Sequence, residues 1–397
     1  MNFLRDATWL GPHRARAYAA MLAIFMGLGL LYGWVSLWLG HHPGAPADPS
    51  GLPGPTDFLS FWTAGRFVWH GHAADAFDLT TLRLAEDRTA VMQPNAVLAF
   101  FYPPPFLLLC LPFALLPYLA GFAAFVAAQS AALVLMLRRI LPEDWGYLPV
   151  LAFPGLLLNA ATGQNGFVSA SCFAAALLLL ARWPALSGAA LGLLVVKPHL
   201  ALAVPVALFC ARRWSALFAC AASAAVFAGV SWIVLGTAAW AGFLHAAPDI
   251  RAALELHEED WAKLQSAFTT ARLLGAPLAA AYAVQAVLAL GVLVALATAC
   301  ARRPGAGAET ALLATAALLC TPHVLDYDLA VAGVPLAWLA READRTGWRP
   351  WEKTSAGLVY LWPMLGRVLT QSYHVALGPA LLLGLFVLLR RRAMAPA

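Results

Sequence analysis

The chemistry in this chain starts at Thr56-Asp57-Phe58-Leu59-Ser60-Phe61-Trp62-Thr63-Ala64-Gly65-Arg66. Asp57 leads a run whose apolar residues at 58, 59, 61, 62, 67, 68 and 69 share one face at helical spacing. A helix of that kind lies at a membrane surface and holds its leading carboxylate where water meets lipid. From there an acidic group can take a proton from one substrate arriving through water while another is presented from lipid. The competing reading is structural: an Asp at the head of a helix is a good cap.

Further polar groups interrupt apolar sequence. Lys197 stands between Leu193-Leu194-Val195-Val196 and Pro198; it reads either as a lysine snorkelling from a helix end or as a point charge for a phosphate. Thr321-Pro322-His323-Val324-Leu325-Asp326-Tyr327-Asp328-Leu329 brings one His and two Asp into an apolar stretch. That is a thin ligand set for a metal, and a His–Asp hydrogen bond orienting the imidazole fits it better. Gly163-Gln164-Asn165-Gly166 is a neutral turn whose amides can also hold hydroxyl groups. A carboxylate, a cation, a His, amides and the aromatics Trp62, Tyr102 and Tyr327 suit a sugar joined to a lipid phosphate better than an ion. No paired-carboxylate motif demands a divalent metal, so the expectation is neither metal nor cofactor.

The elements that must position these groups are membrane segments. The 397 residues are 62% hydrophobic and 11% charged, against roughly 25% charged in soluble chains. The chain therefore reads as one integral membrane domain, 1–397. Its net charge of +5 does not point to nucleic acid, because the basic residues fall as short clusters between apolar runs, the pattern of cytoplasmic loops. The partner it implies is the bilayer. The first apolar run begins near Tyr18 and is of span length, with no signal-peptide cleavage pattern. Cys110, Cys172, Cys210, Cys220, Cys300 and Cys320 lie singly, as small hydrophobes do.

Arg5, Arg14 and Arg16 before a first span at 18–39 place the N-terminus on the cytoplasmic side. Residues 40–100 are then the first loop on the far side, irregular from His41 to Ser60, with interfacial helices at 58–70 and 79–92. Residues 101–235 hold further membrane segments. Among them 103–116, 147–160, 167–181, 185–196 and 199–211 fall short of the ~20 residues a crossing needs. They read as broken or half-length helices around a cavity. A second far-side loop spans 236–270, C-terminal spans fill 271–390, and 391–397 is a cytoplasmic tail. Roughly eleven to thirteen membrane segments result. If Asp57 and Arg138-Arg139 face opposite sides, either 103–116 is re-entrant or one basic doublet lies on the wrong side for the charge rule.

Read in order, Thr-Asp-Phe…Phe-Trp-Thr-Ala-Gly-Arg (56–66), Ala-Phe-Asp (76–78), Phe-Tyr-Pro-Pro-Pro-Phe (101–106), Gly-Gln-Asn-Gly (163–166), Lys-Pro-His-Leu-Ala-Leu (197–202) and Thr-Pro-His-Val-Leu-Asp-Tyr-Asp-Leu (321–329) resemble glycosyltransferase family 87. These are polyprenol-phosphate-mannose-dependent mannosyltransferases of the C-type glycosyltransferase fold, and the likeness covers about 55–340. The resemblance implies an all-α polytopic enzyme of the bacterial inner membrane. It would move a hexose, typically mannose, from a polyprenyl phosphate to a glycolipid, glycan or protein acceptor on the periplasmic face, inverting the anomeric centre. It maps the catalytic base onto Asp57 and an active-site His onto His323. Lys197, Arg66, Tyr102, Gln164, Asn165, Trp62, Asp326 and Tyr327 are the expected substrate-binding residues. Lys-Pro-His stands where Lys-Pro-Gln is expected, which leaves His199 without an inherited role. The rival class is a transporter or flippase of a lipid-linked sugar; the interfacial loop led by a carboxylate and the lack of inverted repeats count against it.

Overall fold

The computed structural model describes residues 2–39, 52–92, 97–256, 261–374 and 376–395. The head of the expected irregular loop, 40–51, and the last two residues of the expected tail lie outside the described residues. Among those described, the only bridge between extended segments is Leu264 against Leu325, and the protein is otherwise all-α. In chain order, α1 (Asn2–Asp6) precedes α2 (Pro12–Trp38); the following loop carries α3 (Phe58–Trp69), a 3₁₀ turn (Ala73–Phe77) and α4 (Leu79–Glu86). Next come α5 (Pro104–Ala114), α6 (Tyr118–Ile140), α7 (Leu148–Leu151), α8 (Pro154–Thr162), α9 (Gly166–Leu179), α10 (Pro184–Gly192) and α11 (Val204–Cys210). The chain ends with α12 (Trp214–His245), α13 (Ala247–Leu256), α14 (Ala267–Leu273), α15 (Leu278–Ala301), α16 (Ala306–Leu319), α17 (Gly333–Thr346), α18 (Glu352–Tyr373) and α19 (Gly378–Met394).

Four helical stretches, α2, α6, α12 continued through α13, and α15, are long and apolar enough to cross a membrane. Their apolar side chains point outward: Ile24, Phe25 and Leu28 on α2, Val226 and Ile233 on α12, Val287 and Leu290 on α15 are all exposed. Apolar faces of that extent are stable only against lipid. Of the shorter helices, α9 and α16 are largely buried among the others. Every residue of α16 from Ala308 to Leu319 is buried. A helix that ends at membrane depth is tolerated there, because its free backbone groups meet protein instead of hydrocarbon.

Proline and glycine set the breaks. Pro104, Pro154 and Pro184 open α5, α8 and α10, where a missing N–H leaves nothing unsatisfied. Gly163 closes α8 in the left-handed conformation, φ +73°. Gly236 (φ +79°, ψ 168°) leaves the helical region and divides the stretch Trp214–His245 into two helices that meet at a kink.

Helix α5 does not cross. Tyr102, just before it, reaches Gln164, and Tyr118, just after it, accepts from the Thr56 N–H at 2.9 Å, so both its ends sit at the Asp57 end. Helix α3 lies along it: Trp62 and Trp69 donate their indole N–H to the carbonyls of Leu116 and Leu111, each at 2.9 Å. A Cβ on Gly65 would stand 2.6 Å from that of Ala114, so glycine is what permits the approach. At the opposite end Arg213 pairs with Glu309 at 2.9 Å and the buried Arg392 with Glu352 at 2.6 Å. Lys353 and Arg16 tie the N-terminal segment and the α6–α7 connection to that same basic end.

Candidate active site

The site is assembled by the turn between α8 and α9. Asn159 donates to the carbonyls of Gly155 and Tyr327, both at 2.8 Å, and accepts the Gly166 N–H at 2.8 Å. One buried amide thus fixes the turn 163–166 against the stretch 321–329. A Cβ on Gly166 would come within 2.3 Å of the Tyr327 carbonyl oxygen, which explains the second glycine of the motif. Held this way, Gln164 donates from Nε2 to Oδ2 of Asp57 at 3.0 Å and accepts from the Tyr102 hydroxyl at 3.2 Å. The Tyr102 and Tyr327 hydroxyls are 3.3 Å apart. Asn165 lies beside Tyr102, buried, with neither side-chain polar atom hydrogen-bonded.

Asp57 does not cap α3. Its backbone is already helical (φ −60°, ψ −22°) and its side chain makes no capping hydrogen bond. Phe58 and Phe61 fix the helix start instead, packing at ring distances of 4.8 Å on Phe125 and 4.9 Å on Phe106. An anchor of that size turns the carboxylate toward Gln164 rather than back onto its own helix.

Lys197 corrects one of the two readings made of it. It does not snorkel: it is 2% exposed and its Nζ lies 2.6 Å from Oδ1 of Asp328. That carboxylate neutralises it within the protein. The ammonium also sits 4.6 Å from the Tyr327 ring centre and 5.7 Å from that of Tyr102, a cation–π geometry for both. The other Asp328 oxygen accepts the Leu325 N–H at 3.1 Å.

His323 lies close by but is not hydrogen-bonded to Asp326 or Asp328 as expected. Both carboxylates are engaged elsewhere, and the imidazole meets the His199 ring edge-on at 5.6 Å. The Nε2 of His199 is buried without a hydrogen-bond partner. Asp326 uses Oδ1 for the Tyr327 N–H at 2.9 Å; its Oδ2 has no hydrogen bond and faces Arg367 on α18 at 4.0 Å. Asp57 and Lys263 are within electrostatic reach of Asp326. The structure therefore joins Asp57, Gln164, Asn165, Tyr102, Tyr327, Asp326, His323 and Lys197 at one end of the helix bundle.

Two expected binding residues point elsewhere. Trp62 and Arg66 occupy the side of α3 that faces α5, the guanidinium lying over the indole at 5.7 Å. At five and nine positions beyond Asp57, the 100° helical step takes them off the carboxylate's face. Asp328, Asn159, His199 and Arg367 were missed. Asp328 was visible in the motif, but two carboxylates two positions apart do not reveal which one turns inward. Asn159 and Arg367 each interrupt an apolar helix, but nothing in the sequence says what either side chain faces.

Outside the membrane segments, the first loop has its own electrostatics. Asp78 caps α4 by accepting the Thr81 N–H at 2.7 Å, and hydrogen bonding to Thr81 holds its carboxyl below the usual range. Glu86 is fully buried, and desolvation pushes its carboxyl up to about 7.

A family model, glycosyltransferase family 87, matches residues 100–322, which takes in Tyr102, the 163–166 turn, Lys197 and His199. No curated protein and no solved structure matches the chain. The match spans more than half of the sequence, in an all-α bundle ringed by lipid-facing helices with polar groups converging at one end, and the chain belongs to glycosyltransferase family 87, a family of membrane glycosyltransferases.

Proposed function

We propose that this membrane glycosyltransferase takes a hexose, with mannose the first candidate, from a polyprenyl phosphate and transfers it to a hydroxyl of a glycolipid, glycan or protein acceptor. Asp57 is the general base. It accepts the acceptor's proton as that oxygen attacks the anomeric carbon, the bond from that carbon to the phosphate oxygen breaks, and the lipid leaves as its monophosphate with inversion at the sugar. One observation carries this reading: the Asp57 carboxylate, which makes no capping hydrogen bond to α3, is held by Gln164 beside the cluster of Tyr102, Tyr327 and His323. Base catalysis of this kind supplies typically 10²–10⁴-fold.

The leaving phosphate develops negative charge that positively charged or hydrogen-bonding groups must stabilise. With Lys197 committed to Asp328, this falls to His323 and to the half-exposed Arg367. Lys197 acts indirectly, keeping the Tyr102 and Tyr327 rings in place. Asn165 and Gln164 hold sugar hydroxyls. The reaction as written takes no cofactor and no divalent metal, so a chelator leaves the rate unchanged. The Asp57 end would face the periplasm of a bacterial inner membrane, with the basic end in the cytoplasm, in line with the charge bias of cytoplasmic loops.

The test is transfer of radiolabelled mannose from a polyprenyl-phosphate donor to extracted envelope acceptors by protein in proteoliposomes. Asp57→Asn is expected to remove transfer by at least 10²-fold while the protein still elutes as a folded species. Near-normal turnover by that variant would remove the proposed base.

A further inference from the structure

Between helices α15 and α19 lies a groove of about 440 Å³ that reaches the basic end. Its walls are apolar, formed by Val287, Gly291 and Ala295 on α15 and Phe386 on α19, while Arg390 and Arg391 stand at its mouth. The two helices touch each other little: α15 packs on α14, α11 and α16, and α19 on α16 and α18. Gly291 has nothing within 4 Å of the place a Cβ would occupy, so the wall is notched at mid-groove.

The two arginines differ from their neighbour. Arg392 is buried and spent on Glu352. Arg390 donates Nε to the Ala295 carbonyl and Nη2 to the Thr298 hydroxyl, each at 3.3 Å, bonds that turn its guanidinium over the groove without neutralising it. Arg391 is exposed. Among the described residues neither forms an ion pair with a carboxylate. Arg302 and Arg303, just past the end of α15, add to the positive field.

We propose that this groove is a binding site for one anionic glycerophospholipid, with an acyl chain laid along the Gly291 notch and the headgroup phosphate on Arg390 and Arg391. Charge complementarity selects that occupant. An apolar trough between membrane helices accepts any lipid tail, but a trough ending in two unneutralised arginines discriminates for an anionic head. The bound lipid bridges two helices that the protein itself scarcely connects, so it stabilises the C-terminal helices by mass action on the folded state. This site is independent of the proposed transfer reaction.

The experiment uses the full-length protein, purified in mild detergent and stripped of lipid. It is titrated with phosphatidylglycerol or with phosphatidylcholine of the same acyl chains, and retention is read by native mass spectrometry. Phosphatidylglycerol is expected to be retained at least tenfold better. Arg391→Gln, which touches none of the Arg390 hydrogen bonds, is expected to weaken that retention about fivefold, the scale of one basic residue at a membrane surface. Gly291→Leu fills the notch and is expected to abolish the preference; because leucine is the better helix former, it remains decisive if the arginine variant fails to fold. Equal retention of the two lipids, or an unchanged preference in either variant, overturns the proposal.

Discussion

Lys197 and Asp328 meet at 2.6 Å across 131 residues of sequence, both buried. A charge in this setting is tolerable only because its partner is there. Removing one partner of such a pair leaves an uncompensated buried charge and destabilises by about 3–5 kcal/mol, whereas replacing both by apolar groups is often neutral. Asp328→Ala should therefore unfold the detergent-solubilised protein well below the parent's transition, and Lys197→Met with Asp328→Leu should recover most of the loss. A single-variant melting curve that overlays the parent's would show that the pair contributes nothing to stability.

Gln164 sits between the proposed base and the two tyrosines, and its contribution should be to rate rather than fold. A hydrogen bond to a charged group is worth about 1.5–3 kcal/mol, so Gln164→Ala should lower kcat by about 10–100-fold. The melting temperature should hardly change, because the turn is pinned by Asn159 instead. Steady-state kinetics in proteoliposomes decides this: a variant at full kcat would mean that Asp57 needs no such orientation.

Gly166 and Gly27 offer a matched comparison. A methyl group at 166 would collide with the Tyr327 carbonyl and the Asn159 amide, whereas at 27 it meets nothing within 4 Å. Gly166→Ala should push the 321–329 stretch off the turn, losing transfer activity together with about 1–3 kcal/mol of stability. Gly27→Ala, on the lipid-facing α2, should be neutral or slightly stabilising. Equal thermal stability and activity in the two variants would contradict the close approach at Gly166.

Glu86 makes the first loop sensitive to pH. Its folded pKa, about 7, stands above the ordinary value of 4.5, so the folded state keeps a proton that the unfolded chain releases. Its stability is thus fully present below about 4.5, declines as pH rises toward 7 and levels off above it, a total of about 3 kcal/mol. Glu86→Gln keeps an acceptor for the Leu98 N–H and should abolish this dependence. Melting temperatures between pH 5 and pH 8 test it; parallel curves for parent and variant would show that Glu86 does not titrate in this window.

The membrane character, the re-entrant course of 103–116 and the short inner helices follow from hydrophobic length and from prolines that are one-dimensional marks in the chain. The candidates Asp57, Gln164, Tyr102 and Tyr327 were legible too, because a polar residue in an apolar run stands out by contrast alone. Contrast does not say what a side chain faces. Which of Asp326 and Asp328 would neutralise Lys197, whether His323 would meet a carboxylate or His199, and whether Trp62 and Arg66 would share the face of Asp57 were all set by how helices pack. Such packing joins residues more than a hundred positions apart, and it is governed by side-chain shape and by the need to pair every buried charge. Asn159 is the clearest case: it interrupts an apolar run, but nothing in Leu157-Leu158-Asn159-Ala160 says that its amide ties the two halves of the site together.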